Sequence, residues 1–284
     1  MSTRSTSSSL KKDIRKLGII AGGGTLPHVL ASACEQKGIQ PFIVAIEGQA
    51  DPQYLKGREH VIYRLGLAGK MIESLKRHEA WDLVLIGSVK RPSLVSLRPD
   101  LKTAGFFARL GLKAIGDNDM LKAVREELEG DGFTIHGVHE FVDELLAPEG
   151  VLGKYKPSKQ DQIDIEHGFK MSQALGRLDI GQSAIVEDGI VLGLEAAEGT
   201  DKLIKRCKSY KKKPKGGVLV KTCKPQQDKD LDLPTIGPDT VELCAEAGLN
   251  GIALHAHHSL LLDIEKVKDL ANKHKLFVSG IEYP

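Results

Sequence analysis

The chain has little cysteine, few aromatics, no dominant charge and no long apolar run. Its four cysteines, Cys34, Cys207, Cys223 and Cys244, are scattered without a CxxC pair. That excludes a disulfide framework and predicts reduced, buried, inert thiols. Lys+Arg 40 against Asp+Glu 38 leaves a net charge of +2, too balanced for a nucleic-acid binder. No apolar run approaches the roughly 18 residues of a membrane span. The opening MSTRSTSSSLKKD has no apolar h-region and is not read as a secretory signal. Residues 1–14 are predicted to be a disordered tail, and the protein is expected to be cytoplasmic.

A hydrophobic share of 41% and a charged share of 27% exclude bulk disorder. At roughly 150 residues per domain, 284 residues suggest two domains. Glycine, at 30 residues, exceeds its usual share of about 7% and needs a place. From Lys16, LGII, AGGGTLP, a helical HVLASACEQKG and PFIVAI read as strand, turn, helix and strand. This βαβ unit opens a parallel sheet. A helix over MIESLKRHEA, a strand over WDLVLIGSV, a helix over 119–131 and a strand over FTIHGV continue the alternation. The expected class is therefore α/β, with a Rossmann-like parallel domain over 15–146. LAPEGVLGKYKPSKQD breaks the periodicity at 146–161 and is read as the linker. A mixed α/β domain follows over 147–284. In it, SAIVEDGIVLGLEA predicts a type I′ hairpin at Asp188–Gly189.

Several constellations could carry chemistry. Gly22, Gly23 and Gly24 lie between a strand and a helix N-terminus, where backbone N–H groups bind phosphate. Pro27 stands where the third glycine of a dinucleotide fingerprint belongs, and Glu47 ends the second strand. A tight turn without a ligand is the plainer reading. Ser88 and Arg91 follow a later strand and would face the same edge. Gly116–Asp117–Asn118–Asp119 opens a helix, either as capping residues or as a ligand loop. Glu195, Glu198 and Asp201 are three acids within seven residues around Thr200. They call for a cation, or else they are solvated acids beside a helix cap. KPQQDKDLDLPTIGPDTV is a long acidic loop, and Asp232 between two leucines is expected to be a partly buried carboxylate that holds a metal or activates water. His255 and His257 would share a strand face as structural histidines, or as a metal pair. KSYKKKPK carries five lysines in eight residues. It is read as a solvated loop, or as a contact with anionic lipid head groups. No aromatic stacking set accompanies it, so nucleic acid is not expected.

LGIIAGGGTLP, GDNDML, GRLDIGQS, LEAAEGTD and KPQQDKDLDLPTIGPDTV come in order over about 15–282. In this the chain resembles the LpxI-type UDP-2,3-diacylglucosamine pyrophosphatases. The resemblance implies two α/β domains and Mg²⁺-dependent hydrolysis of UDP-2,3-diacylglucosamine to UMP and 2,3-diacylglucosamine 1-phosphate in lipid A biosynthesis. It implies Asp232 as the catalytic residue and as a metal ligand, and Glu198 and Asp201 are taken as further ligands. Gly22, Gly23, Gly24, Ser88, Arg91, Gly116, Asp117, Gln182, Thr200 and Asp230 are taken as substrate-binding. Asp230 stands where the family usually has Arg, and Ser88 where it often has Asn. Mg²⁺, with Mn²⁺ as a substitute, is the expected cofactor. The expected partners are the acylated UDP-sugar, the inner membrane face by peripheral contact, and a second copy in a homodimer. Two alternatives remain: a nicotinamide-dependent oxidoreductase with Glu47 on the ribose, and a non-catalytic UDP-sugar or lipid-binding protein.

Overall fold

Strands that are apolar on both faces must be covered by helices on both sides, and this is how the first half of the chain folds. The computed structural model describes residues 14–89, 97–110, 117–142 and 145–282. The expected tail up to residue 13, Arg91 and Gly116 lie outside them. The chain divides into two units, one made of the residues up to 115 and 119–142, the other of 116–118 and the residues from 143 on.

In the first unit, β1 (Lys16–Ala21), β2 (Gln40–Ile46), β3 (His60–Tyr63), β4 (Asp82–Ile86) and β5 (Thr134–Ile135) form one sheet in the order β3-β2-β1-β4-β5. Every pairing in it is parallel. Helices α1 (Leu26–Gln36), α2 (Ala68–Arg77), α3 (Leu101–Leu110) and α4 (Asp117–Gly130) connect or follow these strands. Leu17, Ile19, Phe42, Val44 and Leu83 are buried in the sheet, with Leu30 and Leu75 from the helices. The order reverses between β1 and β4, so the turns after these two strands flank the switch point where open α/β sheets bind ligands. This is the Rossmann-like arrangement expected. The sequence reading passed over β3 and α3.

In the second unit, β6 (Gly150–Leu152), β7 (Ser183–Glu187), β8 (Ile190–Leu194), β9 (Val218–Lys221), β11 (Gly251–His255) and β13 (Phe277–Ile281) form a sheet in the order β6-β13-β11-β9-β7-β8. Its centre, β9-β11-β13, is parallel, and β6, β7 and β8 are antiparallel to their neighbours. The short strands β10 (Thr235–Ile236) and β12 (Leu260–Leu261) pair separately. Around the sheet lie α5 (Lys159–Arg177), α6 (Thr200–Cys207), α7 (Pro238–Glu246) and α8 (Ile264–Lys273). The domain is mixed α/β, as expected.

The linker reading of 146–161 needs correction. Its Gly150–Leu152 pairs with β13, and the backbone of Ala147 is bonded to Ser259 and His257. The prolines and glycines there end a strand rather than leave the chain free. The hairpin expectation holds: Asp188 (φ 51°) and Gly189 (φ 78°) both take positive φ. Both turn N–H groups donate to the buried Asp164 carboxylate, at 3.0 and 2.7 Å.

All four cysteines are free and buried. Burial pushes the Cys34 thiol up to about 12 and the Cys223 thiol up to about 11, which keeps them unreactive. No helix among the described residues is long and apolar enough to cross a membrane.

The lysine run is not a free basic patch. Lys211 turns inward onto Glu187 at 3.3 Å, with side chains only 4% and 2% exposed. Lys213 pairs with Asp188 at 2.6 Å, and Lys215 donates to the Lys275 carbonyl at 3.0 Å. Lys208 and Lys212 remain exposed.

Candidate active site

At the edge of the first domain, the glycine cluster has two different jobs. Gly22 N–H donates to the Ile86 carbonyl, and Gly23 pairs through both backbone groups with Ser88. A Cβ on Gly22 would lie 2.5 Å from the Ser88 carbonyl oxygen and 2.8 Å from that of Gly87. Close approach of two backbones therefore explains Gly22 and Gly23, as the plainer reading had it. Gly24 differs: its φ is +89°, it is exposed, and nothing approaches its Cβ position. Beyond it, Thr25 caps α1 without a side-chain bond. Among the described residues, the N–H groups of Gly24, Thr25 and Leu26 carry no hydrogen bond. Free N–H groups at a helix N-terminus suit an anion. Pro27 sits buried in the first turn of α1, where its missing N–H costs nothing. It thus starts the helix. Ser88 is exposed beside this turn. Asp117 begins α4.

In the second domain one sheet edge gathers the candidates. Ser183 at the start of β7 lies opposite Lys221 at the end of β9, and Leu254 of β11 is level with them. Gln182, the 222–235 loop, Glu195 and His255 are therefore brought to the same edge. Helix α5 holds this edge in place. Ser172 donates to the Gln182 carbonyl at 2.6 Å, Gln173 to that of Cys223 at 2.7 Å, and Gln226 donates back to Gly176 at 2.6 Å.

Asp232 is exposed, between buried Leu231 and Leu233. The expectation of a partly buried carboxylate is corrected: the leucines take the inward places, and the acid faces out. Its N–H donates to the Asp228 carbonyl at 3.0 Å, closing one helical turn. Its Oδ2 accepts from Gln227 Nε2 at 2.7 Å, and Gln227 Oε1 accepts from Lys224 N–H at 2.9 Å. The buried Gln227 thereby aims Asp232 while leaving Oδ1 for a ligand. Asp230 is half-buried, and its N–H donates to Asp228 Oδ1 at 3.0 Å.

The three acids around Thr200 separate. Glu195 is 7% exposed. Its Oε1 accepts from the Thr200 hydroxyl at 2.9 Å, and its Oε2 from Gln182 N–H at 3.2 Å. Glu198 is paired with Arg206 at 2.7 Å, which holds its carboxyl below the usual range. Asp201 is exposed in the first turn of α6. Gly199 is the helix cap. Gln182 Oε1 is buried without a hydrogen bond, an orphaned acceptor that a ligand N–H or O–H would satisfy.

Among the described residues, no three His, Cys, Asp or Glu side chains converge to hold a metal. The set Asp232, Glu198 and Asp201 is thus not assembled, because Arg206 occupies Glu198. Asp232, with one free oxygen, does fit Mg²⁺, which often takes one or two carboxylates and completes its shell with phosphate and water oxygens.

Lys221 escaped the sequence reading. It is 7% exposed, and its Nζ donates to Thr200 Oγ1 and to the Thr235 carbonyl, each at 3.0 Å. Burial pushes its pKa down, while Glu195, Asp232 and Asp201 pull it back up. The available signal is a lone charge inside the apolar run VLVKTC. Gln227 was missed as well, and nothing local distinguishes it from Gln226.

The histidines do not form the expected strand pair. β11 ends at His255, and His257 turns out at φ 58° toward Glu282. His255 instead meets the His258 ring edge-on, 4.6 Å between centroids, and packs on Phe169. Burial, then His258 and Lys229, push the His255 pKa down to about 4. When unfolded it would titrate near the usual ~6.5, so the unfolded state binds the extra proton below that pH. Its contribution to stability is present above about 6.5 and is lost as pH falls toward 4. The thermal midpoint should drop over that window, and His255→Phe should flatten the drop. An unchanged profile in the variant would refute this.

The LpxI N-terminal domain model matches residues 16–145, and the LpxI C-terminal domain model matches 148–279. The chain belongs to the LpxI family. Over 277 residues it is 39% identical to the UDP-2,3-diacylglucosamine pyrophosphatase LpxI of Caulobacter vibrioides. The match covers 95% of this chain and 98% of that protein. Asp232, Gln227, Lys221 and Thr200 all fall inside the region matched to the LpxI C-terminal domain.

Proposed function

We propose that this LpxI-family chain hydrolyses the pyrophosphate bond of UDP-2,3-diacylglucosamine. The products are UMP and 2,3-diacylglucosamine 1-phosphate, in lipid A biosynthesis. The near full-length identity to the Caulobacter vibrioides protein of that name carries the reading, and the Asp232 geometry supports it. Asp232 Oδ1 orients the attacking water or binds the metal, with Gln227 fixing the carboxylate. Gln182 offers its unpaired acceptor to the sugar or acyl-amide portion. In the first domain, the free N–H groups from Gly24 to Leu26 suit a phosphate of the same class of ligand. Bound Mg²⁺, held by Asp232 and Asp201, would neutralise pyrophosphate oxygens.

The test is UMP release from UDP-2,3-diacylglucosamine by the folded protein. Release should stop on chelation with EDTA and return with Mg²⁺ or Mn²⁺. Absence of UMP refutes the reaction, and release that survives chelation refutes the metal. We further propose a cytoplasmic protein in peripheral contact with the inner membrane, through exposed Lys208 and Lys212, and a homodimer. Sedimentation with anionic vesicles at low salt and light scattering test these two points: an unbound protein or a monomer would refute them.

A further inference from the structure

Two buried lysines in the second domain make an internal comparison. Lys211 has its charge answered at once: its Nζ donates to the Gly248 carbonyl at 2.7 Å and to the Gly216 carbonyl, and it forms an ion pair with Glu187 Oε1 at 3.3 Å. That is the pattern of a structural ion pair, where a carboxylate answers the charge directly. Lys221 is built differently. Its two contacts are neutral oxygens, Thr200 Oγ1 and the Thr235 carbonyl. Glu195 is reached only through the Thr200 hydroxyl. Among the described residues no third acceptor is present, so one N–H of a buried ammonium is unspent. Lysine is almost never buried without a partner for its charge.

The location gives the unspent N–H a use. The two contacts pin the ammonium between the Glu195–Thr200 turn and the strand that follows Asp232–Pro234. It lies where Asp232, Asp201 and Glu195 all act on its charge. A fixed cation among acids, at the sheet edge that presents Asp232, is the means by which a protein admits an anionic group beside its own carboxylates.

We propose that Lys221 is a catalytic residue of this site, donating its remaining N–H to a phosphate oxygen of the pyrophosphate. This rests on the reaction proposed above. In that reaction a water oxygen bonds to one phosphorus, and the bond from that phosphorus to the bridging oxygen breaks. The leaving phosphate keeps the bridging oxygen and the electron pair, and the water proton passes by way of Asp232 or solvent. Lys221 keeps its own proton throughout and stabilises charge on the non-bridging oxygens. Thr200 and the Thr235 carbonyl act as positioning groups for the ammonium.

The experiment compares Lys221→Met with the double variant Lys221→Met/Glu195→Gln. Removing Lys221 alone leaves Glu195 buried and uncompensated, so part of any loss is structural. The double variant removes both charges and should recover the thermal midpoint. If Lys221 contacts phosphate, kcat stays down by about 10²–10³-fold in both variants, with KM within about threefold. If the double variant regains activity together with its midpoint, Lys221 only balances Glu195 and the proposal falls. A measurement on the unmodified protein covers the case in which the variants do not fold. The ¹⁵Nζ resonance of Lys221 should shift on adding inorganic pyrophosphate, and a resonance that stays in place overturns the proposal. This arm needs no turnover. Should the protein release no UMP, the proposed reaction fails while the phosphate contact is still decided.

Discussion

Replacing Asp232 by Ala should lower UMP release by about 10²–10⁴-fold, the range associated with a positioned acid–base group. The fold should survive, because Asp232 is exposed and, among the described residues, its side-chain bond is to Gln227 alone. Asp232→Asn sharpens the test. Asparagine can still accept from Gln227 through its carbonyl, so the side chain stays aimed, but it carries no charge. The same loss in both variants, with thermal midpoints near that of the unmodified protein, would show that the charge matters rather than the shape. Activity retained in Asp232→Asn would remove Asp232 from the metal and base roles together. Gln227→Ala provides the complement: it leaves the charge but frees the carboxylate, so a smaller loss is expected.

Lys211→Met should be the most destabilising change in the basic loop. The pair with Glu187 is buried on both sides, and breaking such a pair from one side costs about 3–5 kcal/mol. The Gly216 carbonyl loses its donor as well, and the Gly248 carbonyl falls back on the Gly216 N–H at 3.0 Å. Among the described residues, the Glu187 carboxylate would keep only the Lys212 N–H, at 2.9 Å. Denaturant unfolding of Lys211→Met should show the loss. Adding Glu187→Leu should return much of it, because an apolar pair of similar size is often as stable as the ions. A single variant as stable as the parent would mean that water reaches Glu187 and that the lysine is not needed. Lys213→Met, whose partner Asp188 is exposed, should change stability by less than about 1 kcal/mol.

Much of the fold was legible because its signals are local. LGII followed by AGGGTLP and PFIVAI could only be buried parallel strands around a turn, and the sheet β3-β2-β1-β4-β5 places them so. The Asp188–Gly189 hairpin follows from two residues that tolerate positive φ. The short strand β6 was not legible: GVL sits among prolines and glycines and becomes a strand only because β13 offers an edge. The site divides in the same way. Asp232 was readable as a candidate, from an acid held in an apolar stretch of loop. Its exposure was not, because Leu231 and Leu233 decide which way it faces.

By itself the sequence determined the α/β class, the hairpin, the inert cysteines and, through five motifs in order, the LpxI family. Each of these depends on neighbours along the chain or on residue types in series. Tertiary structure alone decided which charges meet. It gave Glu198 to Arg206 and buried Glu195 under Thr200. It locked Lys211 onto Glu187 and left Lys221 with an N–H to spare. The physical reason is that an ion's worth depends on its burial and on partners distant in sequence. Lys221 and Thr235 are 14 residues apart, and Lys211 and Gly248 are 37 apart. Only the pairing of β7, β9 and β11 brings such groups to one edge of a sheet.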